Sequence, residues 1–408
     1  MGFFDSIKKR EVLSWAFFDF ANSSYALLIA SFVFPIFFRE VISPSNGDFW
    51  WGLNVSIAII LGAILSPLTG AIADYDSRKK IKFILFTLLS IIGTTLLFFT
   101  GSNMLLIASL LFIITHTFYE IAVTIYDSFL TQVSTKNNAG RISGLGWGLG
   151  YMGGISAMLL LKPLYDLGYQ NNLFLYKLTF PLTALFFFVF ALPSMIFLKD
   201  IKKKKKIKLL NLIKIGFSRI KNTIQNIKKH KNIAWFLVSF YFMNDALVTI
   251  FTFLPIYAKA TIQLNFTEIA VLLLIVQLIG FPSAVLFGYL SDKKGAKKIL
   301  LFTLIIWIII VILIALSSSK LMFYLISALT GLVIGSSQSV ARSWLSKIIP
   351  ANKKAEFFGF NGFASKVAAT TGPLIFGIIS VYFNQRIAMI PIALFFIIAF
   401  LLFFKVKE

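Results

Sequence analysis

The chain has 408 residues, of which 58% are hydrophobic and 13% charged, with a mean hydropathy of +0.86. A soluble domain carries about 25% charged residues, so a water-soluble globular protein is excluded and a polytopic membrane protein is indicated. With no cysteine there is no disulfide, thiolate metal site or cysteine nucleophile; the net charge of +23 has to be tested against topology before it is read as nucleic-acid affinity.

Six apolar runs open the chain, near Val12 to Phe38, 49–73, 81–100, 104–131, 142–163 and 173–198, and each is long enough to cross a bilayer. The first is too long and too polar for a signal-peptide core, and no small-residue cleavage site follows, so it is expected to be retained. Next comes the one long segment that is not apolar. It starts Lys199-Asp-Ile and five lysines, softens into an amphipathic run over Leu209 to Ile227, and closes on Lys228-Lys229-His230-Lys231. Six more runs follow at 233–258, 267–291, 298–317, 320–345, 357–383 and 386–404. Pro35, Pro67, Pro255 and Pro282 lie inside runs and are expected to kink their helices rather than end them. The expected organisation is therefore an N-terminal six-helix bundle over 1–198, a basic connector over 199–232 and a C-terminal six-helix bundle over 233–408.

About a third of the 39 Lys/Arg fall in the connector, and most of the others sit in alternate short loops. These include Lys8-Lys9-Arg10, Arg78-Lys79-Lys80, Lys293-Lys294 with Lys297-Lys298, and Lys353-Lys354. This asymmetry is the positive-inside pattern, which places both termini and the connector in the cytoplasm. The lysine run lacks the interleaved aromatics that stack on bases. It reads as a topology determinant that meets anionic lipid headgroups, and no nucleic-acid partner is expected.

A duplication limits the architecture further. Gly70-Ala-Ile-Ala-Asp74-Tyr-Asp-Ser-Arg78-Lys79-Lys80 recurs 218 positions later as Gly288-Tyr-Leu-Ser-Asp292-Lys-Lys-Gly295-Ala-Lys297-Lys298, each copy after the second run of its half. Arg141-Ile-Ser-Gly144 is echoed by Glu356-Phe-Phe-Gly359, 215 positions on. Order and topology are kept, so the halves are parallel repeats. A carboxylate at a helix end with a basic cluster one turn later can form a latch that makes and breaks as two halves rock. A helix cap or topology signal is the plainer reading of Asp74 and Asp292, but the recurrence of the spacing favours the latch. Gln338 and Arg342 lie one turn apart near a cytoplasmic helix end, so Arg342 either closes a gate or snorkels.

Ionisable residues within spans are costly, roughly 2.5 to 3.5 kcal/mol each at mid-bilayer, and mark pathways for substrate or protons. Glu120 lies in the fourth run with His116 a turn before, Thr124 a turn after and Asp127 seven residues on, one polar stripe at helical spacing. Asn22 in the first run, Asp245 in the seventh and Lys366 in the eleventh lie at comparable depth. Two packed repeats would bring Asn22 and Glu120 to face Asp245 and Lys366 across a midplane cavity. An anionic Glu120 or Asp245 could take an ammonium group and Lys366 a carboxylate, which suits a zwitterion; a structural ion pair with Lys366 is the competing reading. Glu120 and Asp127 are also candidates to carry a coupled proton. The glycines at 146, 150 and 154 are explained by close helix approach, and Tyr25, Trp147 and Trp344 by core or lipid contact.

Phosphate-loop and zinc-protease motifs are missing, and nothing resembles a nucleophile elbow, so neither an enzyme nor a cofactor is expected. The paired Gly-x-x-x-Asp loops resemble the signature of the major facilitator superfamily. Trp15-Ala-Phe-Phe-Asp19-Phe-Ala-Asn22-Ser-Ser-Tyr25, Arg141 through Gly154, and Gln338 through Glu356-Phe-Phe-Gly-Phe resemble the branch that holds the fungal vacuolar amino-acid effluxers. The likeness covers nearly the whole chain; Asp127 stands where that branch carries Asn, and Ser77 where the superfamily carries Gly. It implies an all-α membrane protein of twelve transmembrane helices in two pseudo-symmetric six-helix bundles, in which Asp74 and Arg78 help hold the cytoplasmic side closed. The expected function is secondary transport of a small solute such as an amino acid by alternating access, with possible proton coupling, by a monomer in a bacterial inner membrane. A lipid scramblase or membrane receptor on the same fold is the alternative.

Overall fold

The computed structural model describes residues 9–75, 79–134, 139–199, 230–349 and 363–407, together with the isolated residues 218 and 225. Backbone groups in lipid have no water to bond, so an apolar run of this length has to satisfy them internally, and the described residues form helices and no strand. The first six long helices are α1 (Arg10–Ile42), α2 (Gly47–Tyr75), α3 (Lys79–Phe99), α4 (Leu105–Val133), α5 (Ala139–Tyr165) and α6 (Leu173–Phe197). The second six are α7 (Lys231–Ala260), α8 (Phe266–Lys294), α9 (Ala296–Leu316), α10 (Lys320–Ile348), α11 (Phe363–Tyr382) and α12 (Gln385–Phe403). They stand where the twelve apolar runs predict them. Among the described residues, 11 helices are long and apolar enough to cross a membrane. The twelfth long helix, α5, has 27 residues.

Surface and interior are sorted as a bilayer requires. Exposed positions include Phe99, Leu106, Ile107, Leu110, Leu160 and Leu316, an apolar exterior that water would not tolerate. The interior holds many hydroxyls bonded back to a carbonyl one turn earlier, among them Thr87 to Phe83, Thr94 to Ser90 and Thr183 to Thr179. Each of these three donors is satisfied within its own helix.

Internal contacts divide the chain into two units, Met1–Phe37 with Ile64–Phe217, and Phe38–Ala63 with Ser218–Glu408. The boundary therefore runs through α1 and α2 as well as the connector; the repeat alone would assign 38–63 to the first bundle. Glycine makes this packing possible, since a Cβ on Gly52 would lie 2.2 Å from the Pro373 carbonyl oxygen and one on Gly377 would lie 2.5 Å from that of Asp48. Ser56 adds a hydrogen bond from its hydroxyl to the Thr370 carbonyl at 2.7 Å. The same unit holds a buried polar cluster around Asp48, which accepts from Arg39 Nε at 2.8 Å, from Gln385 Nε2 at 2.7 Å and from the Ser380 hydroxyl. Gln385 Oε1 in turn accepts from Thr261 at 2.5 Å.

None of the four prolines ends its helix. Around Pro35, α1 changes winding, with π-helical turns at Tyr25–Phe32 and Phe38–Ile42 on either side of an α-helical Val33–Phe37. A proline has no N–H to give the preceding turn, and wide turns are a common way to absorb that loss. From α6, the Tyr176 hydroxyl donates to the Val33 carbonyl at 2.8 Å within the buried core. Tyr176→Phe should cost about 1 kcal/mol, the net worth of one such bond, read as a lower unfolding midpoint in detergent with the helix content of the native protein unchanged.

In the second copy of the repeated loop, Gly295 joins α8 to α9 at φ 93°, a left-handed backbone that disfavours any side chain. The first copy's Ser77 and Arg78 lie outside the described residues, as do 350–362 and most of the connector.

Candidate functional site

Within the first unit, α1 and α4 bring a chain of polar side chains together. Asp19, Asn22 and Tyr25 recur on α1 at near-helical spacing, and α4 answers with His116, Tyr119, Glu120 and Tyr126. Tyr126 donates to Asp19 Oδ2 at 2.9 Å, Asn22 Nδ2 to Asp19 Oδ1 at 3.5 Å, and Tyr119 to Asn22 Oδ1 at 3.4 Å. Further along, the Tyr25 hydroxyl and His116 Nδ1 are 3.2 Å apart, and His116 Nε2 lies 4.0 Å from Glu120 Oε1. Ring stacking fixes these polar tips, with centroids 4.8 Å apart for Trp15 on Tyr126 and 4.5 Å for Tyr25 on Tyr119. Asn22, Tyr25, His116, Tyr119 and Tyr126 are buried, whereas the Glu120 side chain keeps 22% of its surface. The result is two polar groups, Tyr126–Asp19–Asn22–Tyr119 and Tyr25–His116–Glu120, joined by the stack of Tyr25 on Tyr119, the second ending on a partly accessible carboxylate. Such an end can receive an ammonium group or pass a proton inward.

Asp127 is exposed one residue beyond Tyr126 and bears electrostatically on Asp19. The Thr124 hydroxyl donates to the Glu120 carbonyl at 2.8 Å.

The second unit holds its polar residues on α7 and at a break in α11. The 363–368 turns and the Thr371–Tyr382 helix are separated by a non-helical turn at 369–370, where Gly372 and Pro373 both weaken a continuous helix. From α7, Asn244 Nδ2 donates to the Ser365 carbonyl at 2.8 Å, Tyr241 and the Thr371 hydroxyl lie 2.8 Å apart, and Asp245 Oδ1 accepts from the Gly372 amide at 2.8 Å. Gln338 of α10 donates to Asn244 Oδ1 at 3.2 Å. The α7 face thus grips both sides of the break and holds the short stretch that carries Lys366. Asp245 is fully buried, while Lys366 is partly exposed.

Of the residues singled out by sequence, Asn22 and Glu120 lie in neighbouring polar groups joined by the stack of Tyr25 on Tyr119, and Asp245 and Lys366 flank one helix break. Asp74, Asp292 and Arg342 lie on the helical backbones of α2, α8 and α10; their side chains, and all of Arg78, fall outside the described residues. Asp19 is the residue that sequence reasoning passed over. It was quoted only as part of a motif, although the rule that flagged Glu120, a carboxylate within a span, applies to it equally.

Twelve long helices from two sequence repeats, with polar stations inside the membrane-spanning segments, define a transporter of the major facilitator class. A family model described as vacuole effluxer Atg22 like matches residues 52–139 and 131–408, and the chain belongs to that family. It is 26% identical over 376 residues to the MFS-type transporter YxiO of Bacillus subtilis, covering 90% of this chain and 87% of that protein. The multi-drug resistance efflux pump PmrA of Streptococcus pneumoniae is 26% identical over 413 residues, 97% of each chain. Autophagy-related protein 22-1 of Penicillium rubens is 24% identical over 262 residues, 59% of this chain and 44% of that one. Among solved structures, the nucleoside transporter NupG superposes with a TM-score of 0.73 at 12% identity, covering 98% of this chain and 100% of that chain. A bacterial homologue of the human lysosomal transporter Spinster gives 0.69 at 14% identity, with 97% and 95% covered. These last two similarities establish the fold.

Proposed function

We propose that the protein is a secondary active transporter that moves an amino acid or another small zwitterion across a bacterial inner membrane by alternating access, coupled to protons. The observation that carries this reading is Glu120, a partly accessible carboxylate inside the fourth helix that is set against the buried His116 and Tyr25. A carboxylate within a span is costly unless it handles a charged ligand or a proton. Glu120 of the first unit is the carboxylate able to receive an ammonium group, and Lys366 of the second unit is the cation able to receive a carboxylate. The family's description as vacuole effluxer Atg22 like supports export, and the loop charges support cytoplasmic termini, with the connector on anionic headgroups. Asp74, Arg78, Asp292 and Arg342 act in gating at the cytoplasmic loops.

Proteoliposome flux tests the reading. Labelled amino acids should show saturable flux that responds to an imposed pH gradient, and Glu120→Gln and Lys366→Met should each lower it by about tenfold or more, the effect of losing one charge-assisted contact of roughly 1.5 to 3 kcal/mol. Flux indifferent to both variants would move the solute elsewhere. Lipid flip without solute flux would replace transport by scrambling.

A further inference from the structure

The two halves share a device that the sequence repeats do not reveal. In α1, Asp19 is followed four residues later by Ser23, whose hydroxyl donates to the Asp19 carbonyl at 2.8 Å. In α7, Asp245 is followed four residues later by Thr249, whose hydroxyl donates to the Asp245 carbonyl at 2.7 Å. Each carboxylate faces a glycine on the fifth helix of its half. A Cβ on Gly146 of α5 would lie 2.3 Å from Asp19 Oδ2, and one on Gly372 of α11 would lie 2.9 Å from Asp245 Oδ1 and 2.1 Å from the Thr249 hydroxyl. Asp19 and Asp245, Ser23 and Thr249, and Gly146 and Gly372 are all 226 positions apart. Three pairs at one offset, in matching roles on matching helices, are a duplicated arrangement rather than two accidents of packing.

Neither carboxylate has an ion-pair partner among the described residues. Asp245 is 0% exposed, and its Oδ2 is buried with no hydrogen-bond partner, while Oδ1 holds the first turn of the Thr371–Tyr382 part of α11. Being sealed from the surface, this group is unsuited to hold a solute; the smallest cation, a proton, is the ligand its free oxygen fits. The groups around it are the Thr371 and Gly372 amides, Tyr241 on its own helix, Lys366 six residues before Gly372, Gln338 of α10 through Asn244, and Ser56 of α2 through the Thr370 carbonyl. Around Asp19, α4 supplies Tyr126, Tyr119, Glu120 and Asp127, α5 supplies Gly146 and Gly150, and α6 brings Phe187 onto Phe18 and Phe186 onto Phe20.

We infer that Asp19 and Asp245 are a duplicated pair of proton-binding residues, one in each half, that couple proton binding to the seating of the fifth helix on the first. A proton on Asp245 removes the charge that favours the N-terminal turn at Gly372 and loosens the hold on the segment that carries Lys366. A proton on Asp19 does the same to the contact with Tyr126 and Gly146. The inference rests on the transport reading and relocates its coupling step from Glu120 and Asp127 to this pair.

Two measurements test it. A pH gradient of about one unit sustains about tenfold accumulation per coupled proton, so Asp19→Asn or Asp245→Asn should each lower gradient-driven accumulation by about tenfold and the double variant should abolish it. Solute counterflow without a gradient should persist in all three. Accumulation that survives both substitutions, or counterflow lost in step with accumulation, would overturn the inference, the second outcome marking a purely structural clamp. Absence of flux in the unaltered protein would instead defeat the transport reading. To cover variants that fail to fold, the unaltered protein in lipid vesicles can be treated with dicyclohexylcarbodiimide, which adds to protonated carboxyls, and the adducts mapped by mass spectrometry. Adducts at Asp19 and Asp245 that decline as the pH is raised support the pair. Adducts confined to other carboxylates, Glu120 included, count against it.

Discussion

Asp48→Ala should release the first half of α2 from the second unit and let water reach a surface that is now closed. Three donors converge on that carboxylate, and the substitution leaves Gln385 Nε2 without an acceptor in a buried setting. An unsatisfied buried donor costs roughly 1 to 3 kcal/mol. The Arg39 contribution is smaller, because a 28% exposed guanidinium can turn to solvent when its partner is removed. Residues 38–63 come from the first sequence repeat yet pack in the second unit, so any movement that separates the repeats has to break this cluster. The absence of native cysteine makes the measurement clean, since a single engineered thiol is the only one in the chain. Ser56→Cys puts it at a position that is 2% exposed. A membrane-impermeant maleimide should label it about tenfold faster or more when Asp48→Ala is added, following from about 1.4 kcal/mol per decade, with Asp48→Asn in between. Equal labelling rates in all three would show that the cluster restrains nothing.

Gly153→Leu should be the most damaging single substitution in the first unit. A Cβ there would lie 2.0 Å from the Phe20 carbonyl oxygen and 2.6 Å from the Phe20 carbonyl and α carbons. These are backbone atoms of α1, so no rotamer change can make room, and α5 has to move off α1 altogether. Overpacking usually costs about 1 to 3 kcal/mol and more when the obstacle cannot yield; here it would also pull Gly146 away from Asp19. Yield of monodisperse protein and its unfolding midpoint should both collapse, whereas Gly101→Ala, with nothing within 4 Å of the new methyl, should leave both unchanged. A Gly153→Leu protein as stable as the parent would mean that α1 and α5 do not approach as closely as described.

What separates the legible from the hidden is dimensionality. Hydropathy and charge are carried by each residue alone, and a bilayer sorts them along one axis. That is enough to place twelve helices, their even number and the duplicated loops at Asp74 and Asp292. The polar stripe of Glu120 was legible for the same reason, because its period follows from the helix itself. Partners were another matter. Nothing in the one-dimensional pattern says that Asp19 meets Tyr126, that Asp245 caps the broken α11 at Gly372, or that Asp48 gathers Arg39, Ser380 and Gln385 from three other stretches of chain. Those contacts depend on how each helix is rotated and how closely backbones approach, which Gly52, Gly146, Gly153 and Gly372 decide by having no side chain where a neighbour stands. The amino-acid sequence by itself determined the class, the spans and the duplication, because partition into lipid acts residue by residue. Only the tertiary structure decided which carboxylates are sealed, which is reached and where residues 38–63 belong, because these follow from packing between segments far apart in the chain.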